Sequence, residues 1–180
     1  MTGNERLKRF EQLMLPHFAS ANNLARWLTR QPDDAHDIVQ EAYLRAFRSF
    51  DSFHGENSRA WLLTIVRNTF YTWHANQAPH EPYDEDRHGM ANDPRTHAEV
   101  EDPAELLLRQ SEREHLQHMI DALPVTFREV LVLREIEGYS YKEIAEILGA
   151  PAGTVMSRLA RARALLQGQA RRQQSAEAKG

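Results

Sequence analysis

GYSYKEIAEILGAPAGTVMSRLARARALL, residues 138–166, decides the fold of this chain. It parses as two helices joined by a short turn. Ser140 is a good N-cap, and Glu143 three residues later completes a capping box. Ile144, Ala145 and Leu148 then give one apolar face, and Gly149 suits the left-handed residue that ends a helix. Pro151 restarts the chain as the first residue of a second helix, where a missing N–H costs nothing. There Val155, Leu159, Ala162 and Leu166 recur at helical spacing and form a core stripe. Thr154, Ser157, Arg158 and Arg161 fall on an adjoining face, with Arg163 across the stripe.

A helix pair with so short a turn, the second member carrying hydroxyls and arginines, is a helix-turn-helix. Its second helix is shaped to enter a major groove, where arginine can bond guanine bidentately. An ordinary amphipathic hairpin with a solvated basic face is the plainer alternative. Against it stand the turn length, the capping box and a local charge opposite to that of the whole chain. Residues 138–180 hold seven Lys/Arg against three Asp/Glu, whereas the full 180 residues carry a net charge of −4. Direct DNA contact is therefore the expectation.

Working outward, the absence of cysteine excludes disulfides and thiolate metal sites and suits a reducing cytoplasm. No apolar run approaches the roughly 20 residues of a membrane span, so no membrane insertion is expected. The opening MTGNERLKRFEQ is too polar for a secretory signal, and a cytoplasmic location follows as an expectation. Residues 5–29 show a helical apolar pattern broken at Pro16. A second helix is expected over about 33–50, with Asp33 as N-cap, acidic residues early and Arg45 and Arg48 late, as the macrodipole prefers. Ala35, Ile38, Val39, Ala42 and Ala46 make its buried side. Its other side shows Asp33, Asp37, Gln40, Glu41, Leu44 and Arg48, and a leucine inside such a charged stripe suits partner docking or a merely exposed position.

Phe53–Asn57 reads as a loop, and Asn57 or Ser58 caps a helix running to about His74. Leu62, Ile65, Val66, Thr69 and Trp73 form its buried side. The opposite side gathers Ala60, Thr64, Arg67, Asn68, Tyr71 and His74, with Trp61 at its edge and assigned to the core. Aromatic, amide and cationic groups on one face can stack unpaired bases and hold phosphates, although Asn68 and Tyr71 could equally be packing residues. From Ala75 to Glu105 four of the eight prolines gather with nine acidic and two basic residues. So few apolar groups cannot build a core, and a flexible acidic linker is expected. Helical patterns over 104–122 and Phe127–Glu137 then lead into the helix-turn-helix, and the polar end from about 168 should fray.

The expected fold is all-α: two small helical domains joined by a flexible acidic linker, the C-terminal one containing the helix-turn-helix. The boundaries are 1–77, linker 78–103, 104–169 and a flexible tail 170–180.

With both halves described, the chain resembles the bacterial extracytoplasmic-function (ECF, group IV) RNA polymerase sigma factors. DDAHDIVQEAYLRAFRSFDSF followed by SRAWLLTIVRNTFYTW is similar to that family's promoter-melting region 2. ALPVTFREVLVLREIEGYSYKEIAEILGAPAGTVMSRLARAR is similar to its minus-35-reading region 4. The resemblance implies an alternative sigma factor, not an enzyme and without cofactor or metal, that directs core RNA polymerase to promoter DNA. It implies docking of Asp37, Gln40, Glu41 and Leu44 on the clamp helices of the polymerase's largest subunit, with region 4 at the flap. It places the unpaired minus-10 strand against His54, Asn57, Ser58, Arg67, Asn68 and Tyr71. The minus-35 element falls to Thr154, Met156, Ser157, Arg158 and Arg161. It further implies a linker threading the RNA-exit path and an anti-sigma factor masking both domains.

Two other classes compete. A two-domain regulator binding duplex DNA alone would need neither the polymerase stripe nor the single-strand face. A helical metal enzyme could use Asp33, Asp34, His36 and Asp37, or His115 with His118. But the acidic cluster sits where a helix N-terminus favours negative charge, and the His pair has no evident third ligand.

Overall fold

A computed structural model describes residues 3–77 and 103–177, and every described element is helical. The expected linker, residues 78–103, lies outside the described residues apart from Pro103. The first half contains α1 (Gly3–Met14), a 3-10 turn (Leu15–His17), α2 (Phe18–Thr29), α3 (Pro32–Arg48), a second 3-10 turn (Phe50–Ser52) and α4 (Ser58–Gln77). The second contains α5 (Pro103–Asp121), α6 (Val125–Leu131), α7 (Tyr141–Leu148) and α8 (Ala152–Glu177). α6 widens into a π-helical stretch at Val132–Ile136 before Gly138 turns the chain at φ 73°.

The break at Pro16 is present: the chain leaves α1 through the 3-10 turn and resumes as α2. Phe10 pins α1 to the far end of α3, its ring meeting those of Phe47 and Phe50 edge-on at 5.1 and 5.2 Å. Edge-to-face geometry sets the positive rim of one ring against the negative face of the next. Helices α2, α3 and α4 pack on one another, and Ala35, Ile38, Val39, Ala42 and Ala46 are all buried, as the periodicity of α3 demanded.

The start of α3 differs from expectation. Pro32, not a residue after Asp33, opens the helix; Gln31 takes the extended N-cap position without a side-chain cap, and Asp33 sits in the first turn. A proline's fixed φ and missing N–H favour the first helical position, and that preference outweighed the capping tendency of Asp33. Asn57 is the cap of α4, its Oδ1 accepting from the Ala60 N–H at 2.9 Å.

In the second half the capping box forms as expected. Ser140 Oγ accepts from the Glu143 N–H at 3.2 Å, and Glu143 accepts from the Ser140 N–H at 2.9 Å. Gly149 ends α7 at φ 60°. Pro151 precedes α8 by one residue, its carbonyl accepting from the Thr154 N–H, so α8 begins at Ala152. Val155, Leu159 and Ala162 are buried, and α8 packs on α6 and α7. The helix continues through Glu177, past the point where fraying was expected, because Gln, Ala and Arg are all good helix formers. Residues 178–180 lie outside the described residues.

The two halves are packed together rather than held apart. α4 lies against α7 and α2 against α6, and the buried apolar cluster includes residues from both. Arg128 stitches the seam: its guanidinium donates to the carbonyls of Asp121 (2.7 Å) and Leu123 in its own half and of Leu28 across the seam. Carbonyls at helix ends have no intrahelical donor, so one buried cation satisfies the C-terminal ends of α2 and α5 together.

Candidate nucleic-acid interface

The seam brings a row of carboxylates from the second half onto the polar face of α4. Glu129, on α6, has a fully buried side chain. It is held by Arg67 as a two-pronged pair, Nε to Oε2 at 2.8 Å and a terminal nitrogen to Oε1 at 3.2 Å. The Tyr71 hydroxyl donates to the same Oε2 at 3.1 Å, and Arg158 from α8 stands 3.6 Å from Oε1. A buried carboxylate survives only if opposite charge and hydrogen bonds replace its water; here three side chains on two helices do so.

The same environment moves its neighbours. Burial opposes the Arg67 cation, but the hydrogen bond and charge of Glu129 outweigh it and its pKa is raised. Burial first, and then the Glu129 charge, pushes the Tyr71 phenol up to about 12. Arg67 also lies over the Tyr71 ring, 4.6 Å from its centroid.

Further along the seam, Glu137 accepts from Arg59 at 3.1 Å and from the Asn23 amide. Arg59 stacks over the buried Tyr139 ring at 4.2 Å. Glu143 serves twice: while closing the capping box it accepts from the Asn57 amide at 3.3 Å. Hydrogen bonds from the Ser140 backbone and then its hydroxyl hold the Glu143 carboxyl below its usual range. Ser58 bonds to His17 at 2.9 Å, whereas His54 and Asn68 are exposed.

On α8, Met156, Ser157 and Arg161 are exposed, and Thr154 and Arg158 are half-buried. The Ser157 hydroxyl donates back to the Thr154 carbonyl at 3.0 Å. Arg163 is paired with Glu135, while Arg161 has no ion pair among the described residues. On α3, Asp37 and Gln40 are exposed, Glu41 pairs with Arg45 at 2.7 Å, and Leu44 is 53% exposed. Among the described residues no three His, Asp or Glu side chains converge as metal ligands, and His36 is bonded to Gln40. None of the described helices is long and apolar enough to cross a membrane.

Residues 18–79 match the family model for sigma-70 region 2, and residues 113–166 match that for sigma-70 region 4. The ECF RNA polymerase sigma-E factor of Escherichia coli K12 is 38% identical over 134 residues, covering 72% of this chain and 70% of that protein. Its Haemophilus influenzae counterpart is 37% identical over 153 residues, covering 82% and 79%. The chain belongs to the ECF sigma factors.

Solved structures agree. The sigma factor RpoE in its co-crystal with the anti-sigma factor NepR from Bartonella quintana is similar at TM-score 0.71 and 29% identity, over 89% of this chain and 96% of that one. CnrH, in complex with the cytosolic domain of CnrY, is similar at TM-score 0.61 and 25% identity, over 91% and 88%.

On this sigma factor the region 2 match begins with α2 and takes in α3 and α4, and the region 4 match runs from within α5 into α8. Of the six residues expected to face an unpaired strand, Asn57, Arg67 and Tyr71 are brought together with second-half carboxylates, and Ser58 is tied to α1's successor turn through His17. Sequence reasoning missed Glu129, Glu137 and Arg59. The signal for Glu129 was present: Arg128-Glu129 interrupts the apolar run Val125–Leu133. Charges inside a helix whose neighbours are buried on all sides must have partners.

Proposed function

We propose that this chain is an alternative sigma factor that selects promoters for core RNA polymerase and opens them at the minus-10 element. Asp37, Gln40, Glu41 and Leu44 would dock on the clamp helices of the largest subunit and region 4 at the flap. Thr154, Met156, Ser157, Arg158 and Arg161 would read the minus-35 duplex. His54, Asn57, Ser58, Arg67, Asn68 and Tyr71 would hold the unpaired strand. The chain itself supplies sequence choice and the polymerase the chemistry.

The observation that carries this is the pairing of two differently shaped surfaces in one family member. One is the outward Met156–Ser157–Arg161 face of a capped helix-turn-helix; the other is the separate α3 stripe with Leu44 half exposed. A duplex-binding regulator needs the first and has no use for the second. Extruding a base costs a few kcal/mol, and stacking on an aromatic side chain returns about 1–3 kcal/mol. A protein this small needs the polymerase to hold it in place while it melts DNA.

An anti-sigma partner is part of the proposal. Its support is the likeness to RpoE held by NepR, which extends over 89% of this chain and so over both halves. Transcription in vitro with core polymerase and a promoter library tests the reading. The purified chain should join core polymerase and give discrete start sites; failure of either refutes it.

A further inference from the structure

Met156 is a large apolar side chain left half exposed, at 50%, near the start of α8. Val155 and Leu159 are buried and hold this part of the helix to the core, so the fold draws little on Met156. Its exposed neighbours Gly153, Ser157 and Ala160 are small, which makes Met156 the longest side chain of the four. The Ser157 hydroxyl is turned back on the Thr154 carbonyl at 3.0 Å, and Arg158 shares the Glu129 carboxylate. A lone exposed apolar residue is common on protein surfaces; its place on the helix sets this one apart. The N-terminal residues of a groove-entering helix are the ones that meet base edges. A thioether has no hydrogen to donate and only a weakly accepting sulfur, so Met156 is ill suited to a phosphate or to the polar edges of guanine, adenine and cytosine. The apolar group that a base pair presents in the major groove is the C5-methyl of thymine.

We propose that Met156 is a specificity residue that reads a thymine of the minus-35 element by packing its side chain against the C5-methyl group. The inference rests on the duplex-reading role given above to α8 and names a base that this face requires. Contact takes the methyl and the thioether out of water together, and burying one methyl corresponds to about a fourfold gain in binding. Cytosine, which has no methyl, is rejected by the same factor. Arg161, also exposed on α8, supplies hydrogen bonds to the duplex but is indifferent to that methyl.

Replacing thymine by uracil removes that methyl and keeps every hydrogen-bonding group of the base pair. Holoenzyme assembled from the full chain and core polymerase is titrated with fluorescein-labelled duplexes of promoters it selects from a library. Each duplex carries uracil in place of one minus-35 thymine. At one step the parent should bind the uracil duplex about fourfold more weakly than the thymine duplex. Met156→Ala should bind both alike, at the parent's uracil level, whereas Met156→Leu keeps an apolar side chain and should keep a preference for the methyl. 5-Methylcytosine carries the same group, so a duplex with it in place of every minus-35 cytosine forms a second arm, and its binding should equal that of the unmodified duplex. No uracil-sensitive step, or equal sensitivity in the parent and Met156→Ala, overturns the proposal. Tighter binding of the methylcytosine duplex without any loss on uracil overturns it as well. If scrambling the whole minus-35 element leaves binding unchanged, the groove assignment of α8 falls and takes this inference with it.

Discussion

Replacing Arg161 by alanine separates DNA contact from folding more cleanly than any other change on α8. Its neighbours on the stripe side, Val155, Leu159 and Ala162, hold the helix in the core, and Arg161 itself is exposed without an ion pair among the described residues. Arg158 and Arg163 are engaged by Glu129 and Glu135, so truncating either would also remove a contact within the protein. Arg161 is exposed, and alanine is the better helix former; stability should change by no more than about 0.5 kcal/mol. If its guanidinium reads a guanine, about 1–3 kcal/mol of promoter binding is lost, which is roughly a 5- to 150-fold weakening. If it holds a phosphate instead, the loss is uniform across sequences and the salt dependence of log K falls by about 0.9. Binding of the polymerase holoenzyme to a minus-35-dependent promoter, measured at several salt concentrations beside a thermal melt, distinguishes these outcomes. Unchanged promoter affinity with an unchanged melt would show that the groove-facing side of α8 has been misassigned.

Leu44→Asp puts a charge on an exposed side chain that supports no core; it should abolish co-purification with core polymerase while leaving helical circular dichroism intact, and normal holoenzyme assembly refutes the α3 stripe. Ser140→Ala removes the cap of α7 and should cost about 1 kcal/mol, read as a lowered denaturation midpoint at constant slope; no loss would mean that the capping box contributes nothing to the helix-turn-helix. Burial, followed by the charge of Arg59, lowers the His17 pKa below its ordinary 6.5. The folded state therefore prefers the neutral ring, and stability that is in place above pH 6.5 is lost as pH falls through the lowered folded value. An NMR titration midpoint for His17 at or above 6.5 contradicts this.

The local devices of this protein were legible in its residues. The break at Pro16, the Ser140–Glu143 box and Gly149 in left-handed conformation arise from interactions within four residues of one another, and the apolar stripes of α3 and α8 recur at that same spacing. Such interactions act wherever the segment lies. Even there, competing short-range preferences blurred the ends: Pro32 displaced Asp33 from the cap, and α8 began one residue after Pro151.

What the tertiary structure alone decided is which distant groups meet. Glu129 stands 62 positions from Arg67, and Glu137 78 from Arg59. A charge in an apolar run announces that it needs a partner, because leaving it bare is too costly, but its own neighbours do not say which partner. That choice is made when α4 settles against α7 and α2 against α6. Periodicity assigned Arg67 and Tyr71 to a polar face; only packing showed that the other half of the chain covers it.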